Sequence, residues 1–461
     1  MGAAEICNNP VKAPEKTAIL VSAALLFGSI FALITPPFQS PDEPNHFLRA
    51  YQVSEGVFFP ETAEQRLGGT LPASLQEVCD AFAYLKMNGQ ARLDRELIFK
   101  NLHTPLNAGT RRFTDFPNTA VYAPTAYLPQ AGAIVLLRPL GASPLQMLYG
   151  ARMANLLVWL LLVYSTLRLM PFLRDSLTLL ALLPASLVIA ASANADVVTN
   201  GLCWWLVAAF LNTVVEQKPR SALFYLKQGA AFLAACINKL IVVPIVILRF
   251  LPKTSARASG LLTITGLAGA LCWGSLAGKW FIPYDAYNPA FRDAQTLNEG
   301  VDPARQMAFV RDNPIYFIQT AATSLVRSLP STAAHFTGKF GWEKNYLGPV
   351  WLALLWLALA AVLFSEQYRA GQRLRWLAAS AVFLFTGMFA FTMYAIWCPV
   401  GAGEVTNFQG RYFVPVAPLV ALAVANGLLQ RFRREIRMAA LLVLLLGTGA
   451  MVIAILQRYY W

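Results

Sequence analysis

Charge is scarce along this chain: 13% of its 461 residues are Asp, Glu, Lys or Arg, against 57% that are hydrophobic. That shortage excludes a soluble globular domain and a disordered chain. A mean hydropathy of +0.49 indicates a polytopic membrane protein instead. The three histidines and six cysteines contain no C-x-x-C or H-x-x-x-H pair, so the spacing of a zinc site is missing. There is no glycine-rich nucleotide loop, no internal repeat and no low-complexity segment. The first apolar segment, interrupted by Gly28 and Ser29, is followed by no small-residue cleavage pattern, so it is expected to stay as a span. Cys203, Cys236 and Cys272 fall within apolar segments and act there as small apolar residues, which leaves Cys79 and Cys398 as the pair that an outer-face disulfide would use.

What the chain does have is a net charge of +13. Nucleic acid does not follow from it, because the basic residues sit in short clusters between apolar segments. The apolar pattern predicts about eleven spans, at 17–36, 150–168, 175–191, 197–215, 221–236, 239–251, 258–280, 346–365, 376–397, 411–430 and 438–456. Alternate loops then carry the cations: Lys12 and Lys16, Arg168 and Arg174, Lys218 and Arg220, Arg249 to Arg257, Arg369 to Arg375, and Arg431 to Arg437. By the positive-inside rule residues 1–16 are a cytoplasmic tail, and the long loops 37–149 and 281–345 face outward. The segment 122–140 is apolar but broken by Pro124, Pro129 and Pro139. As a full span it would invert every later loop, so it reads as a re-entrant or juxtamembrane helix of the first outer loop. Arg92, Asp94, Arg95 and Glu96 read as a solvated helix, and 109–112 as a turn. The fold class is all-α and polytopic.

The first outer loop opens on Ser40-Pro41-Asp42-Glu43-Pro44-Asn45-His46-Phe47-Leu48-Arg49-Ala50-Tyr51. Pro44 suits the first position of a helix, which makes Glu43 the N-cap, with His46 and Arg49 on its face. Four further polar clusters fall on the same side: Tyr122 to Gln130; Asn194 and Asp196 with Thr199 and Asn200; Asn238 and Lys239; and Glu404, Asn407, Gln409, Arg411 and Tyr412. The segment 338–343 adds Lys339, Trp342 and Glu343. Each has a plainer reading: Asp196 as a helix cap, Lys239 snorkelling, Arg411 as a lipid anchor, and Tyr122, Tyr127 and Trp342 in an interfacial belt. Their gathering at one membrane face favours a single outward site, since ionisable groups are costly there.

Sugar transfer from a polyprenyl-phosphate donor needs this mixture. A carboxylate deprotonates the acceptor hydroxyl, for which Asp42 is the first candidate and Glu43 the second. Cations hold the leaving phosphate: Arg411, Lys239 and Arg49. Sugar and acceptor groups suit His46, Tyr122, Tyr127, Asn194, Asp196, Lys339, Trp342, Glu404, Gln409 and Tyr412.

The motifs P-D-E-P-N-H-F-L-R-A-Y at 41–51, Y-A-P-T-A-Y-L-P-Q at 122–130, S-A-N-A-D at 192–196, G-K-F-G-W at 338–342 and Q-G-R-Y-F-V-P at 409–415 run in order along nearly the whole chain. On them the sequence resembles the GT-C superfamily of polytopic glycosyltransferases, closest to an uncharacterised bacterial membrane-protein family of that clan. The resemblance implies a catalytic Asp42 opening the first outer loop, a proline-containing juxtamembrane helix at 122–140, and Arg411 on the donor phosphate. It also places Asp196 like an acid that binds metal in oligosaccharyltransferases. No cofactor is required by the residues; a divalent cation, Mg or Mn, would have Asp42 and Asp196 as ligands. The expected partners are a polyprenyl-phosphate-linked sugar, a glycan or glycolipid acceptor and membrane lipids, with the site on the outer face of a bacterial cytoplasmic membrane. The alternatives are a flippase or transporter of lipid-linked glycans, which would carry charge along a transmembrane path, and a glycan polymerase.

Overall fold

A computed structural model describes residues 15–216, 221–250, 256–342, 345–367 and 371–461. Residues 1–14 of the expected tail, Lys218, Arg220, Lys253, Glu343 and Arg369 lie outside them. The chain is predominantly helical. Among the described residues, four helices are long and apolar enough to cross a membrane: Pro144–Leu169, Asp196–Val215, Gln372–Trp397 and Gln430–Tyr459. Shorter apolar helices cover Val21–Ile34, Ala222–Asn238, Pro349–Ser365 and Gly410–Val424.

Several expected spans are broken, and proline is the common cause, because it removes a backbone donor and clashes with the preceding turn. The segment 175–191 is two short helices, Arg174–Ala181 and Pro184–Ala190. The segment 239–251 is a 3₁₀ run, Leu240–Phe250, around Pro244, and 411–430 begins as a 3₁₀ turn, Gly410–Val416, around Pro415. The second long loop contains a 25-residue helix, Pro314–Gly338, beside Pro303–Asp312.

The first long loop builds a small subdomain with its own core, centred on Phe47, Leu48, Tyr51, Leu75, Phe82, Phe116 and Ile134. It departs from an all-α reading, for it carries an antiparallel sheet of β1 (Glu61–Ala63), β2 (Arg66–Pro72) and β3 (Arg111–Asp115) in the order β1-β2-β3. Thus 111–112 begin a strand where a turn is expected. Gly68 makes the pairing possible, because a Cβ there would come within 1.9 Å of the Thr114 carbonyl oxygen. The charged run at 92–96 leads into helix Arg95–His103, capped by Asp94. The proline-rich 122–140 segment forms three short pieces, Pro124–Tyr127, Leu128–Leu137 and Arg138–Leu140, none of them long enough to span. Cys79 and Cys398 are separate, buried free thiols rather than a bridge.

The two ends of the bundle are marked by polar clasps. At one end the final helix meets the first-loop subdomain: Arg458 donates to the carbonyls of Leu85, Asn88 and Ala91, and Tyr460 Oη donates to the Ile34 carbonyl. At the other end Arg433 reaches Asp175 at 2.8 Å and Glu366 at 3.9 Å, joining three of the loops that carry the basic clusters.

One buried ion pair sets the start of the first loop. Arg152, on helix Pro144–Leu169, grips Glu43 through Nε–Oε1 at 2.9 Å and Nη2–Oε2 at 2.6 Å, with neither side chain exposed. Its remaining donors reach the carbonyls of Ala32, Thr35 and Pro36, and Glu43 Oε1 also accepts from the Ala193 N–H. Removing one partner strands a buried charge. Glu43→Ala is therefore expected to cost roughly 3–5 kcal/mol, read as a lowered midpoint of thermal unfolding in detergent. A midpoint equal to wild type would remove this pair as the anchor.

Candidate functional site

Asp42 stands one residue before the helix Glu43–Ser54 in a left-handed backbone conformation, φ 62° and ψ 6°. It, not Glu43, is the cap residue, and its side chain makes no capping bond. That conformation costs a non-glycine residue about 1–2 kcal/mol. Its effect is to turn the carboxylate away from the helix. Oδ2 accepts from Arg411 Nη2 at 2.9 Å, and Oδ1 accepts from Asn118 Nδ2 at 3.3 Å.

Arg411 arrives from the 3₁₀ turn Gly410–Val416, held close to helix Pro314–Gly338. A Cβ on Gly410 would lie 2.2 Å from the Phe336 nitrogen, so only glycine allows the approach. Arg411 also donates to Tyr412 Oη at 3.1 Å, while its Nε–H is buried without a partner. Behind this pair lies a second. Lys239, at the end of helix Ala222–Asn238, is ion-paired with Asp196, the first residue of helix Asp196–Glu216. Its Nζ sits 5.0 Å from the Tyr412 ring centre.

His46 lies among these charges, with Nδ1 2.9 Å from Tyr127 Oη. Burial is the main force on its pKa, drawing it down to about 4. Asp42 and Asp196 oppose that, and Arg411 and Lys239 add to it. His46 is therefore a neutral hydrogen-bonding group at neutral pH. Burial, reinforced by Tyr412, Asp196 and Asp42, pushes the Tyr122 phenol upward, so Tyr122 remains a donor.

Of these groups, Asp42, His46, Tyr122, Arg411 and Tyr412 border a cavity of about 410 Å³, and Asp196, Lys239 and Tyr127 lie behind its wall. Asp42, His46, Asn118, Tyr122, Lys339, Trp342, Asn407, Gln409, Arg411 and Tyr412 line it, together with apolar Phe281, Leu297, Met393, Ile396 and Trp397. Ile396 ends a candidate span and is 44% exposed, so the apolar side of the cavity reaches the surface of the bundle. Asp42, His46, Asp196, Lys239 and Arg411, spread over 370 residues of chain, are thus brought together.

Seven expected site residues do not border this cavity: Tyr127, Asp196 and Lys239 stand behind it, and Glu43, Arg49, Asn194 and Glu404 are engaged elsewhere. Both oxygens of Glu43 are used by Arg152, and it does not border the cavity. Arg49 is fully buried and donates to Gln52 and to the carbonyls of Phe58 and Tyr122, so it ties loop backbone rather than meeting a phosphate. The Asn194 side chain accepts from the Asp196 N–H and donates to the Ile189 carbonyl, shaping the turn that starts the helix. Glu404 is exposed and lines a different groove with Arg327 and Ser328. A divalent ion does not fit. Asp42 and Asp196 are each already neutralised by a protein cation, and among the described residues no group of three His, Cys, Asp or Glu gathers. Asn118 and Arg152 go unsingled by sequence reasoning. Arg152 alone carries a signal, an arginine inside an apolar segment.

His46 generates a pH dependence with a definite sign. The unfolded chain protonates it near 6.5, whereas the folded chain resists until about 4. Its stabilising contribution is complete above 6.5 and is lost as pH falls from 6.5 toward 4. His46→Gln should show a shallower drop in thermal unfolding midpoint across that range than wild type; equal slopes would assign the effect to other groups.

No curated protein and no solved structure matches the chain. A family model described as "Predicted membrane protein (DUF2142)" matches residues 25–420. With that match covering most of its length, and with apolar helices of spanning length, the chain belongs to the DUF2142 family of membrane proteins.

Proposed function

We propose that this protein is a GT-C-type glycosyltransferase, moving a sugar from a polyprenyl-phosphate donor to a glycan or glycolipid acceptor. In this reading some eleven membrane-crossing segments hold the site on the outer face of a bacterial cytoplasmic membrane. The observation that carries it is the Asp42–Arg411 pair at the wall of a cavity that is polar at one part and reaches the apolar flank of the bundle.

The pair suits the charge flow of the reaction. Asp42 takes the proton from the acceptor hydroxyl as the acceptor oxygen bonds to the anomeric carbon. The bond from that carbon to the phosphate oxygen breaks, and the polyprenyl phosphate leaves with the bonding electrons. Negative charge therefore disappears from Asp42 as it grows on the phosphate, and Arg411 faces one anion or the other throughout. The buried Arg411 Nε–H offers the phosphate a donor with no protein partner to displace. Lys239, against Asp196 and over Tyr412, supplies a second cation behind it. Neutral His46 and the Tyr122 and Tyr412 hydroxyls suit sugar hydroxyls.

Asp42→Asn should abolish transfer, seen as loss of one sugar from surface glycans by mass spectrometry of cells carrying only the variant, with the unfolding midpoint near wild type. Glycans identical to those of wild-type cells would remove Asp42 as the base. Arg411→Ala should weaken affinity for the polyprenyl-phosphate donor about tenfold or more, in keeping with loss of a charge-assisted contact, and acceptor affinity far less. Unchanged donor affinity would reassign the phosphate site.

A further inference from the structure

A second cavity, of about 570 Å³, lies on the other side of the N-terminal turn of helix Glu43–Ser54. It is built from residues 38–45, 66–86, 112–115 and 291–296, and none of these belongs to a helix of spanning length. Its lining combines the amides of Gln39, Asn45, Gln76 and Gln295 with phenylalanine rings and charged side chains, Arg66 and Asp115 among them. Such a mixture of donors, acceptors and ring surfaces fits carbohydrate.

Two features mark it as a built site. Gln39 is 1% exposed and its Oε1 has no hydrogen-bond partner, although its Nε2 is held by the Phe82 carbonyl at 3.3 Å. A buried acceptor left unsatisfied at a cavity wall costs free energy that a ligand hydroxyl would recover. Arg66 is locked in place: Asp115 accepts from its Nε at 3.1 Å, and its guanidinium sits 3.6 Å from the Phe291 ring centre and 4.8 Å from that of Phe113. That rigidity leaves little ordering cost for a ligand to bear.

The two cavities abut. Thr296 lines both, and between them Asn45 donates to Asn118, which in turn donates to Asp42. We propose that the second cavity holds the glycan chain of the acceptor, entering from the aqueous side, with its terminal sugar passing Thr296 into the first cavity, where its hydroxyl meets Asp42. The assignment of that glycan as acceptor rests on the transfer reading above. The donor lipid, by contrast, uses the first cavity, whose apolar wall includes Met393, Ile396 and Trp397 of a candidate span.

The test uses the full chain in lipid nanodiscs and a fluorescently labelled hexasaccharide fraction, released by mild acid from the surface glycans of the producing cells. Fluorescence anisotropy should show saturable binding to wild type. Gln39→Leu and Gln295→Ala should each weaken it about fivefold or more. Gln295 lies in a surface loop, so its variant remains informative if Gln39→Leu folds poorly. Absence of wild-type binding, or binding unchanged in both cavity variants, overturns the proposal. The two readings fail separately. Unchanged cellular glycans in Asp42→Asn with binding lost in the cavity variants removes transfer and keeps a glycan site. Lost transfer in Asp42→Asn with binding indifferent to Gln39 and Gln295 removes this cavity and keeps the enzyme.

Discussion

The buried contact between Glu43 and Arg152 is the constraint on which the site depends. One guanidinium reaches the last turn of the first helix, the start of helix Glu43–Ser54 and, through Glu43, the Ser192–Asn194 turn. Two charges removed from water need nearly all of their hydrogen-bonding capacity satisfied before the pair is tolerable. Here six hydrogen bonds draw on residues 32–36, Glu43 and Ala193, so the geometry is satisfied only when all three are in register. A pair of apolar residues of equal volume would fill the space without specifying that register. The position of Asp42, one residue before Glu43, follows from it.

Around Asp42 the charges alternate and cancel. Arg411 faces Asp42, Lys239 faces Asp196, and His46 between them is held neutral mainly by burial. In a partly buried region an unbalanced charge would raise the cost of keeping the site formed without ligand. Balance of this kind leaves the polar wall stable when empty. It also makes any ligand phosphate share an existing cation rather than occupy an unpaired one. The sharing partner is Asp42, the base in the proposed transfer, so on that reading the anion and the carboxylate meet at the same Arg411 Nη2.

Much of this arrangement is legible in the sequence because ionisable groups stand out against apolar segments. Asp42, Asp196, Lys239 and Arg411 are conspicuous for that reason, and the structure brings all four within one neighbourhood. Roles within a cluster are less legible. Adjacent carboxylates at 42 and 43 look equivalent in sequence, yet a one-residue difference in where the helix begins sends one to the cavity and the other to Arg152. Arg49 shares the helix face expected of a ligand-binding group, but three carbonyl and amide acceptors in its own loop capture it first. The sheet in the first loop escapes notice because its strands are short and glycine-interrupted, and its stability comes from packing on Phe116 and Leu75 rather than from propensity. Proline interruptions mark the broken spans, but hydropathy alone does not distinguish a 3₁₀ run from a full helix.

The turn at 42–46 also explains why two cavities of different character lie so close. Asp42 and His46 face the first cavity, whereas Pro44 and Asn45 face the one built from the two long loops. On a helix, positions one residue apart are about 100° apart around the axis, so a single turn presents opposite faces to two compartments. A helix is about 10 Å thick with its side chains, too thick for contact through it, so a group in one cavity reaches Asp42 only past Thr296, which borders both. The left-handed Asp42 supplies the last adjustment. By leaving the helix N–H groups uncapped it places its carboxylate at the first cavity's edge, and Glu43, locked to Arg152 immediately behind it, keeps that edge from moving.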